Sequence, residues 1–262
     1  MKVLQTNRKF TNRAVLLIII WTLMLVLSLV LLSVLTSFLA TNPQSFSISS
    51  LSWSGYTVNG VSTNSQLGAV YVNASWVVPQ LNASAGDGYS SVWIGIGGQL
   101  DKTLIQIGTE HDVARGEESY FAWYELLPNF EVRLPRINVS PGDTMVASID
   151  LINSKINHWR IQISNTRTGQ DFIRDVVYNS TRSSGEWVLE RPTVKNQTSV
   201  LADFGRVTFT DCYVQVNGVR GPITSFPCSQ IQMANSQYVK LTRVSALSSG
   251  GSSFTVSYIA SK

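Results

Sequence analysis

From about residue 50 onward, apolar and polar positions alternate in short runs. GAVYVNASWVV, SSVWIGIGG, TLIQIGTE, SYFAWYELL, TMVASIDLI, HWRIQIS, GEWVLE, ADFGRVTFTDCYV, QYVKLTRVSA and SFTVSYIA are dense in Val, Ile, Thr and aromatic residues, and they break at Gly, Pro, Asn or Asp. A period of two is the mark of a half-buried strand. SPGD at Ser140–Asp143, NTRTGQ at Asn165–Gln170 and SSGGSS at Ser248–Ser253 read as turns. No helical period intervenes, so the pattern predicts an all-β domain. Two packed antiparallel sheets forming a β-sandwich, a jelly roll of concanavalin A-like type, is the architecture expected.

The N-terminal part follows another rule. Residues 14–40 read AVLLIIIWTLMLVLSLVLLSVLTSFLA, apolar apart from a few Ser and Thr. As a helix at about 1.5 Å per residue this segment exceeds the roughly 30 Å hydrocarbon core. The sequence thus predicts one transmembrane helix, an uncleaved signal anchor over 14–40. Lys2, Arg8, Lys9 and Arg13 precede it and no charge follows until Asp87, so the positive-inside tendency assigns 1–13 to the cytoplasm. Residues 41–50 (TNPQSFSISS) read as a tether, and 51–262 as the extracytoplasmic domain of a single-pass protein of the cell membrane. A tether this short leaves little room for a propeptide, so no long inhibitory segment is expected.

Charge and cysteine count narrow the chemistry. Of the 20 Lys and Arg residues, those four lie before the span, which leaves 16 to balance 16 Asp and Glu. The exported part is formally neutral, and the basic excess reports membrane orientation, with no case for nucleic acid. Cys212 and Cys228 are the only cysteines; a disulfide between them and two buried thiols both remain open at this stage. With two His residues far apart, at His111 and His158, no zinc-type cluster is recognisable. GxSxG, HExxH and Walker signatures are missing. No metal and no cofactor is expected, and the oligomeric state is not legible.

What remains is an amide and a carboxylate. In LIQIG the alternation sets Leu104, Gln106 and Gly108 on one face against Ile105 and Ile107 on the other. In GEWVLE it sets Glu186, Val188 and Glu190 against Trp187 and Leu189. A polar group on an apolar strand is either satisfied structurally or kept for chemistry. Trp93, Trp123 and Trp187 either pack a core or line a cleft.

Six segments in one order decide between these readings: SVWIGIGG (Ser91–Gly98), LIQIG (Leu104–Gly108), SYFAWYELLP (Ser119–Pro128), TGQ (Thr168–Gln170), GEWVLE (Gly185–Glu190) and ADFGRVTFT (Ala202–Thr210). In these the chain resembles the glutamic peptidases, the eqolisin or G1 family formerly filed as peptidase A4, from about Trp53 to Tyr258. The resemblance implies a sandwich of two seven-stranded antiparallel sheets and an endopeptidase acting on protein or peptide substrates. It implies Gln106 and Glu186 as the catalytic pair, activating a water without metal, and places Trp93 near the site; with Trp93, the residues Glu110, Tyr124 and Glu125 are the candidates for binding substrate. The chain departs from the family pattern where Gly97 and Phe121 replace Asp residues, where Thr109, Glu110 and His111 replace VDF, and where Leu126 and Leu127 replace aromatic residues. Glu110 and Glu125 are candidates to make up the missing acidity.

Two rival readings of the sandwich are a glycan-binding module without catalysis and a glycosidase working through Glu186 and Glu190. Neither accounts for the order of the six segments.

Overall fold

The structure is a computed structural model that describes residues 15, 17, 19–33, 45–60, 68–194 and 197–262. The chain divides into two compact units, Met1–Pro43 and Gln44–Lys262.

In the first unit, residues 19–33 are helical. The hydroxyls of Thr22, Ser28 and Ser33 donate back to the carbonyls of Ile19, Leu25 and Val30 at 2.8 to 2.9 Å, so the helix folds its few polar groups onto its own backbone. No helix among the described residues is long and apolar enough to cross a membrane. Residues 14, 16, 18 and 34–40 of the expected span lie outside the described residues, as do 1–13 and 41–44.

In the second unit the described residues form these strands: Ser45–Ser50 (β1), Trp53–Asn59 (β2), Ala69–Val77 (β3), Gly88–Gly97 (β4), Leu104–Ala114 (β5), Glu117–Leu126 (β6), Val132–Arg133 (β7), Thr144–Asn153 (β8), His158–Asn165 (β9), Gln170–Val177 (β10), Ser184–Glu190 (β11), Thr193–Val194 (β12), Gln197–Thr198 (β13), Arg206–Val216 (β14), Val219–Pro222 (β15), Cys228–Met233 (β16), Thr242–Val244 (β17) and Phe254–Tyr258 (β18). The first sheet runs β1-β16-β2-β11-β4-β5-β6-β7. The second runs β10-β9-β8-β3-β14-β18-β17 with β15 added on β14, and β12 and β13 form a small ribbon.

The inner faces of the two sheets meet in one core. Val92, Ile94 and Ile96 of β4, Ile105 and Ile107 of β5, and Trp187 and Leu189 of β11 pack there with Trp76, Met145, Trp159, Ile161, Phe209 and Val214 of the second sheet. Fully burying a side chain of this size stabilises by about 1.5 to 3 kcal/mol. These are the positions that period-two alternation assigns inward. Strand β4 is buried along nearly its whole length, because its outer face is also covered.

Two sequence expectations change and one open question closes. Each large sheet has eight strands, and the first is not wholly antiparallel, since β1 runs parallel to β16. Residues 45–50, read as the end of a tether, are that edge strand; Ile48 is half-buried between exposed Ser47 and Ser49, and pairing satisfies the backbone groups that a free linker would leave to water. Finally, Cys212 and Cys228 are two free, buried thiols on different sheets, β14 and β16. The core there accommodates each as a small apolar side chain.

Candidate active site

Strand pairing brings the site together. Gly95 on β4 lies opposite Glu186 of β11 on one side and opposite Gln106 of β5 on the other. Glu186 in turn faces Thr57 of β2, and Gln106 faces Glu125 of β6. One row across the first sheet therefore reads Thr57, Glu186, Gly95, Gln106, Glu125. Directly opposed residues share a face. The neighbours Ile105, Ile107 and Trp187 point into the core, so this row lies on the outer face of the sheet. Two strand spacings of about 4.8 Å separate the backbones of residues 186 and 106 by roughly 10 Å.

Between them, Gly95 contributes no side chain. A Cβ there would stand 2.8 Å from Leu104 Cδ1 and 2.9 Å from Trp93 Cζ3, closer than packing allows. No side chain of the row itself stands between the amide and the carboxyl; the position over Gly95, the seat, is covered by Leu104 Cδ1 and Trp93 Cζ3.

The next row reads Gly55, Val188, Trp93, Gly108, Trp123. Trp93, Trp123, Val188 and Leu104 form a small apolar cluster with Trp53, Phe121 and Leu127 at its margin. Trp93 lies against the backbone of β5, where a Cβ on Gly108 would meet Trp93 Cβ at 2.5 Å. A third row carries Trp53, Glu190, Ser91, Glu110 and Phe121. Glu190 accepts a 2.8 Å bond from Trp93 Nε1, and burial pushes its carboxyl up to about 7 against the opposing pull of Trp93 and Trp53. Burial likewise raises Glu110 well above the ordinary glutamate range, with Asp112 adding to the rise, and lifts Asp112 to about 6.

The central pair is electrostatically distinct. Glu186 is 0% exposed, and neither carboxyl oxygen has a hydrogen-bond partner among the described residues. Its pKa is raised well above the ordinary value, first by burial and then by the charge of Asp101, while Ser184, two residues back on the same face, pulls the other way. Burial would raise Asp101 too, but bonds from Thr181, Ser183 and Thr103 outweigh it and hold that carboxyl low. Gln106 Nε2 donates to Glu125 Oε2 at 2.5 Å, and Gln106 Oε1 is buried without a partner among the described residues. Leaving such groups unbonded costs about 1 to 3 kcal/mol each. Buried polar groups kept at that cost are candidates for chemistry.

Of the residues singled out from sequence, Gln106, Glu186, Trp93, Glu110 and Glu125 share the outer face. Tyr124 does not. It is opposite Ile107, stacks on Phe172 at 5.7 Å, and its hydroxyl accepts a bond from Arg174 at 2.5 Å. Its ring fills the core, so its place on the substrate side is withdrawn. Gly95, Asp101 and the Thr57–Gln99 bond at 2.5 Å were not read from sequence, since only cross-strand register and a loop contact bring them to the pair. Among the described residues no group of three or more His, Cys, Asp and Glu side chains could hold a metal ion.

With this geometry established, comparison with known proteins is informative. The sequence model of the peptidase A4 family matches residues 51–258. Aspergillopepsin-2 of Aspergillus niger is 28% identical over 134 residues, which is 49% of this chain and 47% of that protein; the match thus spans about half the length of this curated relative. Scytalido-glutamic peptidase, solved with a transition state analog inhibitor, superposes with a TM-score of 0.67 at 21% identity over 79% of this chain and 98% of that one, a likeness of fold. Aspergilloglutamic peptidase from Aspergillus niger superposes with a TM-score of 0.58 at 25% identity over 66% of this chain and 99% of that one. The order of the six segments, the two-sheet sandwich and the family match agree: the chain belongs to the peptidase A4 family, the glutamic peptidases or eqolisins.

Proposed function

We propose that the chain is an endopeptidase that hydrolyses peptide bonds by adding a water held between Glu186 and Gln106. The observation that carries this reading is the row in which the two side chains flank a glycine. Glu186, as carboxylate, takes a proton from the water as it attacks the scissile carbonyl, then returns that proton to the departing amine. A base whose affinity for protons is raised by burial suits the first half of that cycle. Gln106 supplies an amide N–H to the oxygen on which negative charge develops, a contribution of roughly 3 kcal/mol for a preorganised donor. An amide carries no charge at any pH, so it never competes for the proton. No metal is required by these steps. Trp53, Phe121 and Leu127, partly exposed at the margin of the Trp93 cluster, offer a wall for substrate side chains.

The glycosidase reading fits poorly. Glu186 and Glu190 stand four residues apart on one strand, about 13 Å at 3.3 to 3.4 Å per residue, wider than the roughly 5 to 9.5 Å used by paired carboxyls in sugar hydrolysis. Glu190 is moreover bonded to Trp93.

The apolar run over 14–40 and the cations before it support a single-pass anchor with the peptidase domain outside the cytoplasm. Accessibility of the domain to protease added to intact cells tests that placement; full protection would reject it. The activity is tested on denatured casein across acid to neutral pH. Glu186→Gln and Gln106→Ala are each expected to abolish cleavage while leaving thermal unfolding near that of the parent. Full turnover in either variant refutes the dyad.

A further inference from the structure

The grip on Gln106 comes from the side away from the seat. Strand order β4-β5-β6 puts Gly95 and Glu125 on opposite flanks of Gln106. The amide nitrogen is turned to Glu125 at 2.5 Å. Because a primary amide is planar, its oxygen is turned away from Glu125, and it is buried and unbonded among the described residues. In that orientation the amide N–H is engaged by Glu125. Stabilising an oxyanion between residues 106 and 186 needs that N–H to turn toward Gly95 instead.

The partner that holds the amide can also turn it. An ionised carboxylate only accepts hydrogen bonds, whereas a carboxylic acid donates one as well. Ionised Glu125 fixes Gln106 nitrogen-outward, toward β6. Protonated Glu125 donates its O–H to Gln106 Oε1, and the amide, rotated about its Cγ–Cδ bond, then presents Nε2 to the seat.

We propose that Glu125 is the positioning residue of this site: its proton decides which end of the Gln106 amide faces Gly95, and so whether an oxyanion donor is present. The proposal rests on the dyad reading above. The groups that bear on Glu125 are Gln106 on β5, Glu131 in the turn before β7, Tyr178 after β10 and Glu190 on β11. Burial is the largest influence and raises its carboxyl above the ordinary glutamate value, Gln106 opposes this, and Glu131 adds to it. The protonated form therefore persists beyond the pH at which a solvated glutamate would ionise.

The working form carries one proton on the two carboxyls, held on Glu125 and absent from Glu186; because burial raises Glu186 further than Glu125, it is the minor of the two one-proton arrangements. Such a state is populated between two macroscopic ionisations and gives a bell-shaped profile. Its alkaline limb exists only because Glu125 has a proton to lose.

The test compares the full chain with Glu125→Gln and Glu125→Leu. Glu125→Gln offers a donor at every pH, and its kcat/KM is expected to lose the alkaline limb, gaining about tenfold on the parent for each pH unit above the parent's break. Glu125→Leu removes the grip and is expected to lower kcat by about 100-fold with KM little changed. A Glu125→Gln profile that superimposes on the parent's, over the range in which both stay folded by thermal unfolding, overturns the proposal, as does parent-like kcat in Glu125→Leu. A readout free of turnover accompanies these: the side-chain amide resonances of Gln106, assigned by their loss in Gln106→Leu, are expected to move with pH in the parent and to stay fixed in Glu125→Gln. A Gln106 amide indifferent to pH in the parent overturns the proposal whether or not the chain cleaves peptides. Absence of cleavage at every pH, with the amide still titrating, instead defeats the dyad reading and with it the catalytic meaning of the rotation.

Discussion

Replacing Glu190 by Gln should flatten the dependence of stability on pH, and the size of the effect follows from the surroundings of the carboxyl. Glu190 accepts the 2.8 Å bond from Trp93 Nε1 beside the edge-to-face pair of Trp53 and Trp93, whose ring centres are 5.0 Å apart. Burial there moves its pKa from 4.5 to about 7. A carboxyl with a raised value holds its proton more tightly folded than unfolded. Its contribution to stability is therefore complete below about pH 4.5 and is lost as pH rises through about 7. At about 1.4 kcal/mol per tenfold change in proton affinity, the gap amounts to roughly 3 kcal/mol. Gln at this position keeps an oxygen for Trp93 Nε1 but has no proton to lose. Urea denaturation of the full chain in detergent, from about pH 4 to about pH 8, gives the two stability curves. Asp112 and Glu110 titrate in both proteins and cancel in the difference. The parent should lose roughly 3 kcal/mol more than Glu190→Gln across this range. Parallel curves would refute the reasoning, because they would mean that the carboxyl ionises in the fold as readily as in the unfolded chain.

Two further outcomes are expected beyond those of the dyad and of Glu125. Gly95→Ala places a methyl 2.8 Å from Leu104 Cδ1 and 2.9 Å from Trp93 Cζ3; both can shift, so stability should fall by only about 1 to 3 kcal/mol, while kcat/KM drops by a far larger factor because the methyl stands fixed between the amide and the carboxyl. Normal turnover with that methyl present would contradict the placement of the substrate over Gly95. Burial raises the thiol of Cys212 well above its usual value and raises that of Cys228 as well, so both should resist thiol reagents in the folded chain and react on unfolding. A melting temperature that falls on adding reductant would instead point to a disulfide.

Much of the architecture was legible because period two is a local signal. Alternation in LIQIG and GEWVLE separated Gln106 and Glu186 from the inward Ile105, Ile107, Trp187 and Leu189, and the core bears this out. The same rule separates Tyr124 from Glu125, since adjacent strand residues face opposite ways. Reading SYFAWYELLP as one motif obscured that parity. Gly95 was beyond reach for a different reason: register between β4, β5 and β11 depends on pairing between segments far apart in the chain, and nothing local in WIGIGG says which glycine falls between the two polar groups. Likewise SFSISS carries no charge and little apolar bulk, so its strand is specified by the edge that β16 offers it. Asp101 sits in a loop whose turn chemistry is visible, but its bonds to Thr181 and Ser183 join segments that only the fold brings together.

The alignment of Glu186, Gly95 and Gln106 ties any hydrolytic power to correct assembly of three strands. Slipping β4 by a single residue would put Ile94 or Ile96 at the middle position and turn every β4 side chain to the opposite surface. On the dyad proposed above, a nascent, partly folded or misassembled copy lacks the aligned pair and with it the hydrolytic centre.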